Sequence, residues 1–265
     1  MSMIVNNVAK LGQVTIYHVQ DAGRMGKFLY SAIAGCFARP FRFWEVVRQV
    51  RLIGVNSMPL ILFIGLFSGM VIGLQGYHAL RQVASEGRLG VFVALTLVRE
   101  LGPVFTALMV TGRAGSAMCA ELGIMRISEQ LDALECMSID PFRYLISPKL
   151  IATLISIPVL TLMFDLIGIA GGYLSGVVLL GVNSGAFMTG IEQKVTNADI
   201  YLGLYKSFAF ALLIVWVGTG RGYFLQKIRS AGFGAEAVST VTTQCVVYTS
   251  IGILVWNYLI TAVCL

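Results

Sequence analysis

Two adjacent charged residues lie near the middle of a stretch that is otherwise apolar enough to cross a membrane. The stretch runs from Leu89 to Arg113 and contains Arg99, Glu100 and Pro103. A charge at the centre of a bilayer costs about 2.5–3.5 kcal/mol, so such residues face a protein interior or a wet cavity and often mark functional sites. Neighbours on a helix point about 100° apart. At least one of the two charges therefore needs a partner on another element.

Pro103 adds a backbone requirement to the same place. A proline removes the hydrogen bond to the carbonyl four residues earlier, which here belongs to Arg99, and it tends to kink the helix. Polar groups beside a kink are typical of a pathway site. A structural ion pair between helices is the alternative interpretation, and the local sequence leaves both open.

Composition assigns the chain to integral membrane proteins. Of its 265 residues, 57% are hydrophobic and only 12% are charged, against about 25% charged in soluble domains. Basic residues do not alternate with aromatic ones in any run, which argues against nucleic acid as a partner. The five cysteines are scattered without metal-ligand spacing, so they predict buried thiols and no metal site.

Five apolar segments predict five membrane-spanning helices, at 53–74, 89–111, 150–180, 202–220 and within 237–265. The third is long for one span and carries Pro158 and Asp165, which indicates either one tilted, kinked helix or a broken one. Residues 39–51 precede the first span and have the apolar and basic faces of an interfacial amphipathic helix.

Glycines recur at intervals of four in the first and third predicted spans. This spacing puts small residues on one stripe of a helix, where backbones can approach closely. The predicted packing residues are Gly65, Gly69, Gly73, Gly168, Gly172 and Gly176.

The polar connection at 112–149 contains a second amphipathic pattern. Apolar residues at three- and four-residue spacing share a short helix with an acidic face, Ser128 is suited to cap its start, and Asp140-Pro141 is suited to end it. The pattern fits docking either on the chain's own domain or on another protein.

Basic residues predict the orientation in the membrane. Fourteen lysines and arginines fall on the side of the N-terminus and of the 112–149 connection, and four fall on the other side: Arg81, Arg88, Lys194 and Lys206. The positive-inside rule places the N-terminus in the cytoplasm and the C-terminus outside.

Several chemistries lack their motifs. The chain has no G-x-x-x-x-G-K-[ST], H-E-x-x-H or G-x-S-x-G sequence, so energy-coupled transport would need a separate motor protein. An ion-coupled secondary transporter that uses Glu100 and Asp165 as relay acids is an alternative. A membrane enzyme acting on lipids is a third reading, disfavoured by the missing catalytic groups.

The polar connection and its flanks contain four distinctive motifs: RELGP at 99–103, GRAGSA at 112–117, SEQLDAL at 128–134 and DPFRYLISP at 140–148. With these motifs, and with further similarity at 68–77 and 157–176, the chain resembles the MlaE permease family. The resemblance covers most of the chain. It implies a single all-α permease domain over 1–265: an interfacial segment at 1–52, and a transmembrane region at 53–265 with a cytoplasmic coupling helix at about 127–138.

The resemblance also implies a function and partners. Family members are non-catalytic membrane subunits of ABC transporters that move phospholipids between the inner and outer membranes of Gram-negative bacteria and maintain outer-membrane lipid asymmetry. A homodimer is expected in the inner membrane. Its expected partners are a cytoplasmic ABC ATPase (MlaF-like) that holds ATP and Mg, a STAS-domain protein (MlaB-like) and a periplasmic MCE hexamer (MlaD-like). No cofactor is expected on this chain itself.

The family's site residues transfer to matching positions. The lipid cavity is expected at Ile72, Leu80, Val83, Glu100 and Leu101, with Tyr77 nearby. Contacts with the ATPase are expected at Ile127, Glu129, Leu131, Asp132, Leu134 and Glu135.

Overall fold

The computed structural model describes residues 2–36, 42–227 and 234–264, and these residues form helices joined by short turns. Residues 39–41 of the predicted interfacial helix and 228–233 of the loop after the fourth span lie outside this description. The helices are α1 Ser2–Cys36, α2 Phe43–Ile53, α3 Met58–Arg81, α4 Leu89–Thr96, α5 Gly102–Val110, α6 Ser116–Ile127, α7 Gln130–Cys136, α8 Ser147–Tyr173, α9 Ser184–Lys194, α10 Asn197–Tyr223 and α11 Gly234–Cys264.

Five helical segments of the described chain are long and apolar enough to cross a membrane. They are Phe43–Arg81, Glu86–Ile127, Phe142–Leu179, Asn197–Tyr223 and Gly234–Cys264. The all-α membrane fold with five spans is therefore confirmed. The amphipathic α2 passes into α3 through one 3₁₀ turn, Val55–Ser57, so the entry helix and the first span form one segment.

The second span is one long segment with two wide turns. A π-helical turn, Leu97–Leu101, joins α4 to α5, and a second one, Thr111–Gly115, joins α5 to α6. The distortion predicted at Pro103 therefore lies just before the proline. A π-helical turn inserts an extra residue and often occurs at functional sites.

The third span is not broken. Helix α8 runs without interruption through Pro158 and continues into a π-helical turn, Leu174–Leu179. Two boundaries differ from the sequence-based expectation. Helix α3 extends to Arg81, into residues 75–88, whose polar composition predicts an external segment, and α9 forms within 181–201, which predicts a second polar external segment.

Helix α3 packs along α8 more extensively than any other helix pair in the described chain, and the predicted glycine stripes meet there. A Cβ added at Gly69 would overlap the backbone carbonyl of Gly168, and one added at Gly73 would lie 3.1 Å from the Cα of Gly172. Gly65 lies against Phe164. Both backbones approach closely because neither presents a side chain at these positions.

The other side of the α8 stripe accommodates α4. Added Cβ atoms at Gly168, Gly172 and Gly176 would meet the side chains of Leu97, Val93 and Leu89 in that order. These side chains also recur every four residues. The ridge formed by α4 and the start of the turn after it therefore fits the groove formed by α8 and the turn after it. The glycines of α8 thus bring the first and second spans together with the third.

The N-terminal helix α1 is a long element that periodicity did not predict. The apolar run at 28–38 is too short to cross a membrane. The structure places residues 28–36 of this run in α1, which docks on the fourth span. The Trp216 indole N–H donates to the carbonyl of Met25 at 2.8 Å. The buried ring of Phe28 packs among Phe142, Tyr223 and Phe224 with centroid distances of 5.3–5.7 Å.

Candidate functional site

Arg99 and Glu100 each have a partner on another helix. The wide turn directs Arg99 towards the start of α10, where its Nε donates to Asp199 Oδ1 at 2.6 Å. The Asp199 side chain is buried and its other oxygen accepts from the backbone N–H and the hydroxyl of Thr196, both at 2.8 Å. Asp199 thus serves the capping box of α10 and the ion pair together.

Glu100 is bound by the fourth and fifth spans. Its Oε1 lies 2.8 Å from Lys206 Nζ on α10 and accepts from the Thr261 hydroxyl on α11 at 2.9 Å. Its Oε2 accepts from Asn257 Nδ2 at 3.0 Å. One carboxylate therefore joins three spans.

Lys206 is fully buried and satisfies the backbone group that Pro103 leaves free. Its Nζ donates to the carbonyl of Arg99 at 2.8 Å and to the Thr261 hydroxyl at 2.7 Å, in addition to its pairing with Glu100. The orientation count placed Lys206 among the external basic residues. That assignment is wrong because the residue lies inside the fourth span, where a buried ammonium needs these partners.

The prediction of a distant partner is confirmed for both charges, and we call this set the polar node: Arg99, Glu100, Asp199, Lys206, Asn257 and Thr261. Its contacts are those of a structural ion pair between helices. The Glu100 side chain nevertheless keeps 33% of its surface exposed. The carboxylate is therefore both an anchor and reachable from outside the chain.

The other predicted cavity residues lie on α3 and the second span. Ile72, Tyr77, Leu80 and Leu101 are half-buried against the core, and Val83, beyond the end of α3, is 67% exposed. Within one chain these side chains lie on a partly open surface. The carboxylate of Glu100 is turned to α10 and α11.

An exposed apolar stripe follows the outer face of α3. It recurs at three- and four-residue spacing and comprises Leu60, Phe63, Phe67, Val71 and Leu74. The buried residues of α3 include the glycines that face α8. Helix α3 therefore presents a packed face to its own chain and an apolar face to whatever surrounds that chain.

Helix α7 is shorter than the predicted range and is anchored by its apolar side. It spans Gln130–Cys136, and Leu131 is fully buried. Ser128 does not cap it, because its hydroxyl donates to the carbonyl of Ile124 at the end of α6. The chain turns into α7 at Glu129, which has φ of 56°.

The acidic face of α7 is partly engaged inside the chain. Asp132 pairs with Arg126 at 2.7 Å, and Glu135 accepts from the Tyr223 hydroxyl at 3.2 Å. The Arg126 guanidinium also lies 5.7 Å from the centre of the Tyr223 ring. Leu134 is half-buried, while Ile124, Ile127 and Met137 remain exposed.

Asp165, the other intramembrane acid, lies apart from Glu100. The residue is 6% exposed. Its carboxyl lies against Gly102 and has one oxygen without a hydrogen-bond partner in the described chain. It lines a mostly apolar cavity of about 160 Å³ together with Val98 and Gly203. No hydrogen bond described for either acid forms a relay between them.

The amino-acid sequence is similar to those of known membrane permeases. The sequence model of the family described as "Permease MlaE" matches residues 46–263. The chain is 42% identical over 262 residues to the "Intermembrane phospholipid transport system permease protein MlaE" of Haemophilus influenzae, covering 98% of both chains. It is 38% identical to a "Probable ABC transporter permease protein" of Rickettsia felis over 259 residues, again 98% of each.

A more distant relative comes from a plant. The chloroplastic protein TRIGALACTOSYLDIACYLGLYCEROL 1 of Arabidopsis thaliana is 32% identical over 218 residues, which is 82% of this chain and 61% of that one. The family match and the relatives that align along nearly the whole chain lead to one assignment: the chain belongs to the MlaE permease family.

Proposed function

We propose that this chain is the membrane subunit of an ABC transporter that moves phospholipids between the inner and outer membranes of a Gram-negative bacterium and thereby maintains lipid asymmetry. The 42% identity, over 98% of the chain, to a permease of an intermembrane phospholipid transport system is the observation that carries this proposal. The chain lacks a P-loop sequence. A partner ATPase therefore binds ATP and Mg, and this subunit is non-catalytic and holds no cofactor.

The lipid path runs beside α3 in this proposal. The apolar stripe on α3 offers a surface for a second copy or for acyl chains, and the half-buried Ile72, Tyr77 and Leu80 lie on the same helix. A homodimer would close the partly open surface into a cavity. The exposed part of Glu100 would then meet the polar portion of the lipid, either directly or through water.

The proposed coupling element is α7 with the adjoining end of α6. Leu131 anchors the helix, whereas the exposed Ile124, Ile127 and Met137 are available to an ATPase. Movement at this surface would reach the spans through Tyr223, which contacts both Glu135 and Phe28. The STAS-domain protein would act through the ATPase, and the MCE hexamer would cover the opposite side of the membrane.

Ion-coupled secondary transport is not favoured. Glu100 is engaged by Lys206, Thr261 and Asn257, and Asp165 occupies a separate apolar cavity. The relatives are described as a permease of an intermembrane phospholipid transport system and as a probable ABC transporter permease.

The decisive test is reconstitution. The chain, co-purified with its ATPase and MCE partners, is placed in liposomes with a fluorescent phospholipid, and lipid transfer to acceptor vesicles is followed with and without ATP. We expect ATP-dependent transfer, abolished when the ATPase carries a substitution of its P-loop lysine. Equal transfer with the disabled ATPase would contradict the proposal.

The coupling surface has its own test. The double substitution Ile127→Asp/Met137→Asp places carboxylates on an exposed surface, so the permease should fold and lose the ATPase on co-purification. Leu131→Ala, inside the chain, should instead lower the melting temperature of the permease. Unchanged ATPase binding in the double variant would exclude this surface as the dock.

Topology is tested by labelling introduced cysteines in a variant without the native ones. Asn183→Cys should react with a membrane-impermeant maleimide in intact cells, and Ser138→Cys only after permeabilisation. The reverse pattern would invert the proposed orientation, with its cytoplasmic N-terminus and periplasmic C-terminus.

A further inference from the structure

A polar cavity lies between α2, α6 and the start of α8, away from the polar node and from the proposed lipid path. Its volume is about 300 Å³, at the lower end of the roughly 300–1,000 Å³ typical of ligand sites. The charged side chains at its wall are Arg42, Arg48, Lys149, Glu45 and Glu121. Three cations and two carboxylates leave one positive charge in excess.

The two carboxylates are engaged by two of the cations. The Lys149 side chain is 1% exposed and pairs with Glu121 across the floor of the cavity. Glu45 lies 3.7 Å from Arg48, one turn away on α2. The acids therefore do not present free negative charge that would repel an anion.

Arg42 carries the excess charge in a fixed position. Its guanidinium lies 4.0 Å from the centre of the Tyr144 ring, a stacking distance at which a cation is attracted to an aromatic face. Among the described residues no carboxylate lies within ion-pair distance of Arg42. Stacking on one face leaves its N–H groups free to bind an oxyanion through two parallel hydrogen bonds.

The surroundings indicate where that oxyanion comes from. The outward face of α2 carries Phe43, Trp44 and Val47, all exposed, with Trp44 82% exposed. An amphipathic helix with such a face lies at the boundary between head groups and acyl chains, and tryptophan is enriched there. With α2 in that position, the cavity would open at the depth of the lipid phosphates, beside an apolar surface that suits acyl chains.

We propose that this cavity binds the phosphate-bearing head group of an anionic phospholipid from the leaflet in which α2 lies. Arg42 holds the phosphate, Arg48 and Lys149 balance the charges of Glu45 and Glu121 at the cavity wall, and the acyl chains follow the apolar face of α2. The bound lipid fastens α2 to α6 and α8 at the entrance to the first span. The site does not depend on the proposed transport function, because it is built from a different part of the chain.

The test compares two arginines on one segment. The purified full-length protein is stripped of lipid in detergent and then offered phosphatidylglycerol, phosphatidylcholine or inorganic phosphate. Retained lipid is counted by native mass spectrometry, and melting temperature is measured in parallel. Arg42→Gln removes the fixed cation, while Arg51→Gln removes an exposed charge of α2 that does not line the cavity.

We expect phosphatidylglycerol to be retained over phosphatidylcholine and to raise the melting temperature of the unmodified protein and of Arg51→Gln. Arg42→Gln should weaken its retention about tenfold, the effect of losing one charge-assisted contact. Arg42→Lys keeps the charge but loses bidentate hydrogen bonding, so its retention of phosphatidylglycerol should be intermediate.

Three results would overturn the proposal. Equal retention of the two lipids would remove the requirement for an anionic head group. Equal losses in the Arg42 and Arg51 variants would reduce the effect to general surface charge. Stabilisation by inorganic phosphate alone, as large as that by phosphatidylglycerol, would make the cavity a site for a free anion rather than for a lipid.

Discussion

The first and third spans are held together by backbone contact, whereas the second, fourth and fifth are held together by charge. In the glycine seam, formed by Gly65, Gly69 and Gly73 of α3 against α8, no side chain separates the helices at Gly69 and Gly168. In the polar node, Glu100 and Lys206 meet across three helices with each charged group hydrogen-bonded. The glycine seam joins membrane helices by close packing, whereas the polar node joins them by ion pairs and hydrogen bonds.

The two regions differ in how they fail. The seam depends on shape, because dispersion between close backbones stabilises it and any added atom separates them. The polar node is stable only when all its partners are present, because each charge is tolerated inside the bilayer only while it remains paired. One added methyl group should damage the seam, and one removed cation should damage the node.

The largest effect is expected at the node. Lys206→Met would leave Glu100 and the Arg99 carbonyl without their buried donor, at a cost of about 3–5 kcal/mol. Unfolding in detergent, followed by circular dichroism, should show this loss. The double variant Lys206→Met/Glu100→Gln removes both charges and should recover part of the stability. A double variant no more stable than Lys206→Met would contradict the charge-based account.

The seam should respond to a single methyl group. Gly69→Ala directs a Cβ into the carbonyl of Gly168, and overpacking of this kind costs about 1–3 kcal/mol. The matched control is Gly112→Ala in the second span, where an added Cβ meets no atom of the described chain within 4 Å. Alanine is favoured over glycine in helices by about 0.5–1 kcal/mol, so the control should be neutral or stabilising.

Melting temperatures of the two alanine variants decide this point. Opposite signs are expected for Gly69→Ala and Gly112→Ala. The same sign and size in both would mean that glycine spacing on α3 reflects composition alone and that the seam is not a specific contact.

A smaller coupling is expected between Arg99 and Asp199. The Arg99 side chain is 38% exposed, so solvent screens the pair, and we expect about 1 kcal/mol. A double-mutant cycle with Arg99→Gln and Asp199→Asn measures it and separates it from the capping role of Asp199. A coupling energy as large as the stability loss in Lys206→Met would show that burial does not explain the difference between the Arg99–Asp199 and Lys206–Glu100 pairs.

The last variants concern the role of Glu100. Glu100→Gln keeps an acceptor for Lys206 and Thr261 but removes the counter-charge of the buried ammonium, so it should cost less stability than Glu100→Leu, which removes both. Comparing Glu100→Gln with Glu100→Leu distinguishes a role of Glu100 in holding the helices together from a role in contacting the lipid. If Glu100 serves the lipid, the Glu100→Leu complexes that do assemble should transfer less lipid per complex, with Glu100→Gln milder. If it only anchors, Glu100→Leu should lower the yield of assembled complex. Normal transfer per complex in Glu100→Leu would exclude the substrate role.

Local pattern was enough to predict several features of this protein. Apolar length gave five spans, and glycine spacing identified the faces that meet between α3 and α8. Chain geometry also required a distant partner for Arg99 or Glu100, and Pro103 predicted the loss of the helical hydrogen bond to the Arg99 carbonyl, before any fold was known. These features depend on residues a few positions apart, whose relation along a helix is fixed by its repeat.

Only the tertiary structure decided which groups meet. Lys206, Asn257 and Thr261 lie 106 to 161 positions from Glu100 along the chain, and no periodicity pairs them. Leu131 packs inside the chain, although the apolar pattern around it fitted docking either on its own domain or on another protein. Helix α1 docks through the aromatic rings around Phe28. The cavity beside Arg42 likewise forms from three separate helices. Such contacts depend on how helices are rotated and placed against one another, which the packing of the whole bundle determines.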